Sequence, residues 1–162
     1  MQTSQLPSLR ISLFSSVSSV FAGDKYCIQT EGIVVNQIVE RVSVWSASFA
    51  DKPGGLSNIL NCLDEAGVDL DFIIARRAPE EPGTGIVFVS PLEGDREVRA
   101  ASTLGFAISG SIAAVRVEGA NEPGAAATLT NLIADADINV RGFSGAVVGE
   151  RYIAYIGFDS SA

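Results

Sequence analysis

The stretch Asp51-Lys52-Pro53-Gly54-Gly55-Leu56 decides the fold, because its pattern returns later in the chain as Asn121-Glu122-Pro123-Gly124-Ala125. Both copies have the form Asx-x-Pro-Gly, and their prolines are 70 residues apart. The likeness extends beyond the loops, since Val68-Asp69-Leu70 in the first copy corresponds to Ile138-Asn139-Val140 in the second. A repeat of this length indicates one supersecondary unit that is built twice.

The first copy reads as a complete ferredoxin-like unit. Its helix is predicted from an apolar stripe with i, i+3, i+4, i+7 spacing, formed by Leu56, Ile59, Leu60 and Leu63. Around it, the periodicity predicts strands at 42–49, 68–74, 86–89 and 106–108, and a second helix at 97–104 with Asp95 as its cap. This β-α-β-β-α-β order is the split βαβ arrangement, so we predict the α+β class with antiparallel sheets.

The second copy is predicted to stop after its third strand. It has strands at 112–117, 138–148 and 152–158 and a helix at 123–136, but no second helix or fourth strand follows. In a sheet of order 4-1-3-2 this omission leaves the first strand with an unpaired edge, which natural proteins rarely leave uncovered. We therefore expect the N-terminal segment or a second subunit to cover that edge.

The N-terminal residues 1–40 do not resemble the repeat. They are interpreted as a disordered leader or as an added strand, and the apolar stretch 11–22 is too rich in serine to make a good secretory signal. The predicted domains are thus this leader, a first unit at 41–110 and an incomplete second unit at 111–162.

Composition excludes several classes of function. The chain of 162 residues is 47% hydrophobic and 19% charged, which is typical of a globular core. Its formal net charge of −8 argues against a nucleic-acid partner, because a phosphate backbone attracts Lys and Arg. No apolar run is long enough to span a membrane, so no membrane partner is expected.

The absence of histidine argues against catalysis and cofactors. A chain with no histidine lacks the usual general base, the Ser–His and Cys–His nucleophile pairs and the commonest zinc ligand. Cys27 and Cys62 have no C-x-x-C spacing, which suits a reducing cytoplasm and leaves a single disulfide between them as the alternative. We therefore expect a cytoplasmic protein that is not an enzyme and carries no metal or cofactor.

The repeated loop has the chemistry to bind a zwitterion. A helix that begins at Pro-Gly presents backbone N–H groups at the positive end of its dipole, where a carboxylate binds well. Just ahead of this helix start, the side chain of Asp51 or Asn121 can accept a hydrogen bond from an ammonium group. A free amino acid carries both charges, so it is the expected ligand. The alternative is that both loops are ordinary helix starts that bind nothing.

From about residue 41 to 159 the chain resembles tandem ACT-domain proteins. The resemblance rests on Phe49-Ala-Asp-Lys-Pro-Gly-Gly-Leu-Ser-Asn-Ile-Leu with Glu65-Ala-Gly-Val-Asp-Leu, and on Gly119-Ala-Asn-Glu-Pro-Gly with Ala134-Asp-Ala-Asp-Ile-Asn-Val. ACT domains are regulatory modules that bind amino acids and join side by side. The chain departs from the pattern at Gly119, where serine-sensing members have histidine, and at Ala126, where leucine is preferred.

The resemblance implies that a ligand contacts the loop of one unit and the start of the second strand of its neighbour. Carried onto this sequence, one site consists of Asp51, Pro53, Gly54, Gly55 and Leu56 with Asn139 and Val140. The other consists of Asn121, Pro123, Gly124 and Ala125 with Asp69 and Leu70.

The sequence thus predicts a non-catalytic regulatory protein that binds a small amino acid at the interface between ACT units. We expect a homodimer formed through sheet or helix pairing, and a partner enzyme or regulator. The alternative is an ACT-type dimerisation or scaffold module without a ligand. A hydrolase of the acylphosphatase type is disfavoured, because that chemistry requires an arginine in the first loop and residues 50–55 and 119–125 contain none.

Overall fold

The computed structural model describes residues 20–22, 25–30, 33–108, 110 and 112–159. Within these residues the chain forms ten strands and three helices. Their order is β1 (Val20–Ala22), β2 (Lys25–Thr30), β3 (Ile33–Val42), β4 (Trp45–Ala50), α1 (Gly55–Glu65), β5 (Phe72–Arg77), β6 (Thr84–Ser90), α2 (Asp95–Thr103), β7 (Ala107–Ile108), β8 (Ile112–Ala120), α3 (Ala125–Asp135), β9 (Val140–Val148) and β10 (Arg151–Asp159).

The first copy forms a four-stranded antiparallel sheet. Its strand order is β5-β6-β4-β7, which is the 4-1-3-2 order of a ferredoxin-like unit counted from the other edge. One face of this sheet packs against α1 and α2. The core consists of Trp45, Ala47, Ile59, Leu63, Val87, Val89, Leu92, Ala101 and Phe106. The predicted fold class and the two helices of this unit are confirmed.

The second copy is part of a six-stranded sheet of order β1-β2-β3-β8-β10-β9. The strands β8, β10 and β9 come from the repeat and pair antiparallel, with α3 on one face over Val117, Ala154 and Ile156. The antiparallel partner of β8 on its other side is β3, with Glu40 opposite Arg116. The strand β3, from the N-terminal side of the repeat, therefore occupies the place of the missing fourth strand. The edge of β8, the first strand of the second copy, is thus covered within the chain.

Several predicted strand boundaries are wrong by a few residues. The strand predicted at 68–74 begins only at Phe72, because the Val68 N–H donates to the Leu63 carbonyl (3.1 Å) and closes the end of α1. The same bond recurs in the second copy, where the Ile138 N–H donates to the Ile133 carbonyl (3.2 Å), and β9 begins at Val140.

The predicted first strand, 42–49, is also misplaced. Val42 belongs to β3 in the six-stranded sheet, whereas β4 begins at Trp45 in the four-stranded sheet. Residues 43 and 44 carry the chain from one sheet to the other. Asp95 is likewise the first residue of α2, and the cap is Gly94.

Candidate ligand sites at the repeated loops

The two loops have the same backbone conformation at the start of the helix. Gly54 precedes α1 with φ 85° and ψ −11°, and Gly124 precedes α3 with φ 85° and ψ 1°. Glycine adopts positive φ without the steric cost that a Cβ imposes. Neither helix start has a hydrogen bond from a capping side chain. The repeat thus preserves a particular helix start as well as a sequence pattern.

Open space lies beside both helix starts. A Cβ built on Gly54 or Gly124 meets no atom within 4 Å. Asp51, Pro53, Asn121 and Pro123 are also exposed. A small molecule can therefore approach the backbone in both loops without displacing packed side chains.

Part of the donor capacity of these loops is already used. The Gly55 N–H donates to the Lys52 carbonyl at 3.0 Å, and the Ala125 N–H donates to the Glu122 carbonyl at 3.1 Å. Gly55 itself is buried, and a Cβ there would collide with the Ala50 carbonyl oxygen. These two amides therefore serve the turn that precedes each helix.

The loops differ in charge. A carboxylate oxygen of Asp51 lies 2.9 Å from Nε of Arg77, at the end of β5. The residue 70 positions further on is Val147, and Asn121 replaces Asp51, so the second loop has no such pair at the matching positions. The Asp51 carboxylate, predicted to accept an ammonium group, already has a cationic partner.

The start of the second strand packs within its own unit. Leu70 contacts the core of the first unit and Val140 that of the second, whereas Asp69 and Asn139 are exposed. None of the predicted site residues lines either of the two cavities described below. The predicted contact between the loop of one unit and the strand of its neighbour therefore remains a proposal.

A glycine–aromatic pair lies next to each loop, with its members exchanged between the units. In the first unit Phe49 of β4 packs over Gly85 of β6, so that a Cβ on Gly85 would collide with the phenyl ring. In the second unit Gly119 is on β8, and a Cβ there would lie 2.8 Å from Cε1 of Tyr152 on β10. The aromatic ring thus comes from the first strand in one copy and from the third strand in the other.

Tyr152 also connects the second unit to the N-terminal strand. Nε2 of Gln37, a buried residue of β3, donates to the Tyr152 hydroxyl at 2.6 Å. Burial raises the pKa of this hydroxyl. Sequence reasoning missed both residues. The signal that was available is the replacement of Phe49 by Gly119 at the matching position of the repeat.

The helix-free faces of the two sheets approach each other. The rings of Phe72 on β5 and Tyr155 on β10 stack with their centroids 4.3 Å apart. Two cavities adjoin Tyr155: a polar one of about 470 Å³ that includes Glu40, Asp71 and Arg116, and a more apolar one of about 270 Å³.

Ion pairs crosslink the six-stranded sheet beside the polar cavity. Nη2 of Arg116 lies 2.7 Å from Oε2 of Glu118, and Nη1 of Arg116 lies 3.9 Å from Oε2 of Glu40. Nε of Arg151 lies 2.5 Å from Oε1 of Glu118. The hydrogen bond from Arg151 lowers the pKa of Glu118, against the opposing effect of burial. Burial acts to lower the pKa of Arg116, but its contacts with Glu118 and Tyr155 together outweigh that effect and raise the pKa. The paired charges fix β3, β8 and β10 to one another at this face.

Among the described residues no group of His, Cys, Asp and Glu side chains is arranged to hold a metal ion. No helix in this part of the chain is long and apolar enough to cross a membrane.

Several solved structures share this fold at low sequence identity. Protein BT0572 from Bacteroides thetaiotaomicron is 17% identical, with a TM-score of 0.62 over 75% of this chain and 81% of its own. The ligand-free regulatory subunit of aspartate kinase from Thermus thermophilus is 18% identical, with a TM-score of 0.54 over 74% of this chain and 85% of its own. A structure of aspartokinase alpha and beta subunits is 19% identical, with a TM-score of 0.52 over 76% and 86%. No protein-family model matches the chain, nor does any curated protein.

The fold is therefore that of the ACT-domain proteins, as the resemblance in sequence implies. This chain combines two such βαββ-type units, the second of which receives its outer strand from the N-terminal side of the first.

Proposed function

We propose that the protein is a non-catalytic regulator that binds a small amino acid at the helix starts of its ACT-type units. The observation that carries the proposal is the pair of glycine-led helix starts, Gly54 and Gly124, which share a φ of 85° and open onto free space. The amides at such a start favour a carboxylate. The fold supports the proposal, because the similar structures include a regulatory subunit of aspartate kinase.

The second loop is proposed as the tighter site. At the first loop an incoming ammonium group must compete with Arg77 for the Asp51 carboxylate, and the same carboxylate repels the carboxylate of the ligand. Asn121 is neutral and has an amide group that can donate to a carboxylate or accept from an ammonium. The two sites therefore differ in affinity for the same amino acid.

We propose that a second copy of the chain completes each site. The residues implied for this role are Asn139 and Val140 at the first loop and Asp69 and Leu70 at the second. The strands β5 and β9 end their sheets, and β9 exposes Phe143, Val147 and Val148. An exposed apolar edge strand is a template for pairing with another chain. Edge pairing thus supports a homodimer, which is also what the alternative scaffold function requires.

Melting the protein against each of the twenty amino acids tests the proposal. A ligand at a hundred times its Kd stabilises by about 2.7 kcal/mol, which raises the Tm by several degrees at roughly 2–4 °C per kcal/mol in a protein of this size. We expect Asn121→Ala to lose most of this shift and Asp51→Ala to lose less. Arg99→Gln, an exposed residue of α2 outside both loops, is the control and should keep it.

Light scattering on the same samples separates the two functions. A dimer whose Tm responds to no amino acid would support the scaffold and contradict the sensor. A Tm shift that persists in both the Asp51 and the Asn121 variant would place the ligand elsewhere.

A further inference from the structure

The second cavity lies between the helix-free faces of the two sheets and has a volume of about 270 Å³. We call it the inter-sheet cleft. Residues of both units line it, and none of them belongs to the repeated loops. We propose that the inter-sheet cleft binds a small carboxylate with an aromatic or branched apolar body. This site is independent of the amino-acid site proposed above.

The walls of the cleft suit an apolar body. Phe72, Ile74 and Phe88 face it from the four-stranded sheet, and Ile112, Ala114 and Tyr155 from the six-stranded sheet. The Phe72–Tyr155 stack forms part of the lining. Sites for small molecules are typically apolar cavities with a few polar groups, and they occur preferentially between domains. A volume of this size accommodates a molecule of about the size of a single amino acid.

Two guanidinium groups define the charge of the ligand. Arg76 on β5 and Arg141 on β9 both line the cleft, one from each unit, and the described residues that line it include no carboxylate. Nη1 of Arg141 lies 3.2 Å from the Asp159 carboxylate, which is outside the cleft, whereas no described residue that lines the cleft offers a carboxylate to Arg76. Arginine is well suited to bind carboxylates, because its planar donors match the two oxygens. A carboxylate on the ligand would therefore pair with Arg76, and Arg141 would add positive charge from the other unit.

Binding in the cleft would link the two units. The apolar body would contact both sheets, and its carboxylate would lie between cations from β5 and β9. The Phe72–Tyr155 stack is an aromatic contact between the two sheets. A ligand that joins them therefore stabilises their relative position, which is a route by which occupancy is communicated across the molecule.

Phenylacetate is the probe that tests the proposal, measured by calorimetry on the full chain. Its controls are phenylacetamide, which keeps the ring and loses the charge, and acetate, which keeps the charge and loses the ring. We expect phenylacetate to bind at least about tenfold more tightly than either, because charged hydrogen bonds and apolar burial each contribute at that scale. Equal affinity for phenylacetamide would overturn the assignment of the arginines.

A variant that fills the cleft tests its location. A Cβ on Gly142, which lines the cleft, meets no atom within 4 Å, and its φ is not in the left-handed region. Gly142→Val is therefore expected to fold with an unchanged or higher Tm and to lose phenylacetate binding. Gly142→Ala, a smaller change, should weaken binding partially. Undiminished binding by a folded Gly142→Val protein would contradict the site.

Charge variants complete the experiment. Arg76→Gln should weaken phenylacetate binding about tenfold, whereas Arg99→Gln, on the exposed surface of α2, should leave it unchanged. Asn121→Ala should keep phenylacetate binding and lose the amino-acid response. If Asn121→Ala loses phenylacetate binding while Gly142→Val keeps it, the carboxylate binds at the loop and the cleft proposal fails.

Discussion

At the residue scale, the helix starts depend on glycine because of backbone geometry. Gly54 and Gly124 have φ 85°, where an L residue with a Cβ is strained, although open space surrounds the position that a Cβ would occupy. The cost of substitution is therefore conformational and not a collision. Other glycines in the chain, such as Gly85 and Gly119, are required for the opposite reason, since an aromatic ring occupies the position of the Cβ.

Alanine substitution distinguishes these two requirements from a position that has neither. Gly54→Ala and Gly124→Ala should each lower the free energy of unfolding by about 1–2 kcal/mol, the cost of left-handed backbone for an L residue. Gly142→Ala is the matched control, because it has open space and no positive φ. Urea denaturation measures the difference, and equal stability of all three variants would contradict the conformational argument.

Tyr152 gives a second prediction at this scale. Tyr152→Phe leaves the buried Gln37 amide without its hydroxyl partner, which should cost about 1–3 kcal/mol. Because the folded protein raises the pKa of Tyr152, its hydroxyl favours the folded state below the unfolded pKa of about 10. That contribution is lost as the pH rises through the folded pKa.

The alkaline limb of the stability curve is the measurement that checks this. We expect Tyr152→Phe to unfold with a shallower pH dependence above about pH 10 than the parent protein. Burial also raises the pKa of Tyr155, which the variant keeps. The stability of the variant should therefore still fall with pH in this range, but less steeply than that of the parent protein. A variant that is as stable as the parent at neutral pH would show that the Gln37 bond contributes nothing.

At the scale of the elements, the sequence predicted types well and boundaries less well. The helices followed from apolar stripes, and α1 begins within one residue of the predicted position. The strand starts were placed too early because Val68 and Ile138 satisfy strand periodicity, yet their N–H groups close the preceding helices. Hydrophobic periodicity reports which residues are buried, and it does not report which carbonyl accepts each amide.

The candidate sites were predictable only in part, for a similar reason. The loops and their glycines follow from local sequence, and their helix starts recur as expected. The Arg77 partner of Asp51 and the Gln37 partner of Tyr152 are 26 and 115 residues away in sequence. Contacts of that kind depend on sheet register, which a single sequence does not specify outside its repeats.

The strand β3 carries the prediction that belongs to this scale. Val39 of β3 lies opposite Val117 of β8 and opposite Tyr26 of β2, so it is inside the sheet. Proline there has no N–H for the ladder and is tolerated mainly in edge strands. Val39→Pro should lower the free energy of unfolding by about 3 kcal/mol, the upper end of the usual range for single substitutions. Val39→Ile should change it little.

Hydrogen exchange identifies where that destabilisation falls. Amides of β8 and β10 should lose protection in Val39→Pro, and those of β4 and β6 in the other sheet should keep it. Uniform loss of protection in both sheets would contradict the assignment of β3 to the sheet of the second unit alone.

At the scale of the whole molecule, two sheets with separate cores are connected by residues 43–44 and meet face to face. Each unit has its own buried cluster, one under α1 and α2 and the other under α3. The Phe72–Tyr155 stack joins the two sheets, and two cavities adjoin Tyr155. Such an interface suits a molecule whose units change position relative to each other when a ligand binds.

A double-mutant cycle on Phe72 and Tyr155 measures how strongly the units are coupled. Stacked aromatic pairs contribute about 0.5–1.5 kcal/mol beyond the area that they bury, so Phe72→Leu and Tyr155→Leu should be non-additive by about that amount. The matched control pairs Phe72→Leu with Phe158→Leu, since Phe158 packs in the core of the second unit and not against Phe72. That second pair should be additive.

Phenylacetate should increase the Phe72–Tyr155 coupling if it joins the sheets in the cleft, because it stabilises the arrangement in which the rings stack. Additivity of the Phe72 and Tyr155 substitutions would mean that the two units move independently, and it would remove the physical basis for communication through this interface.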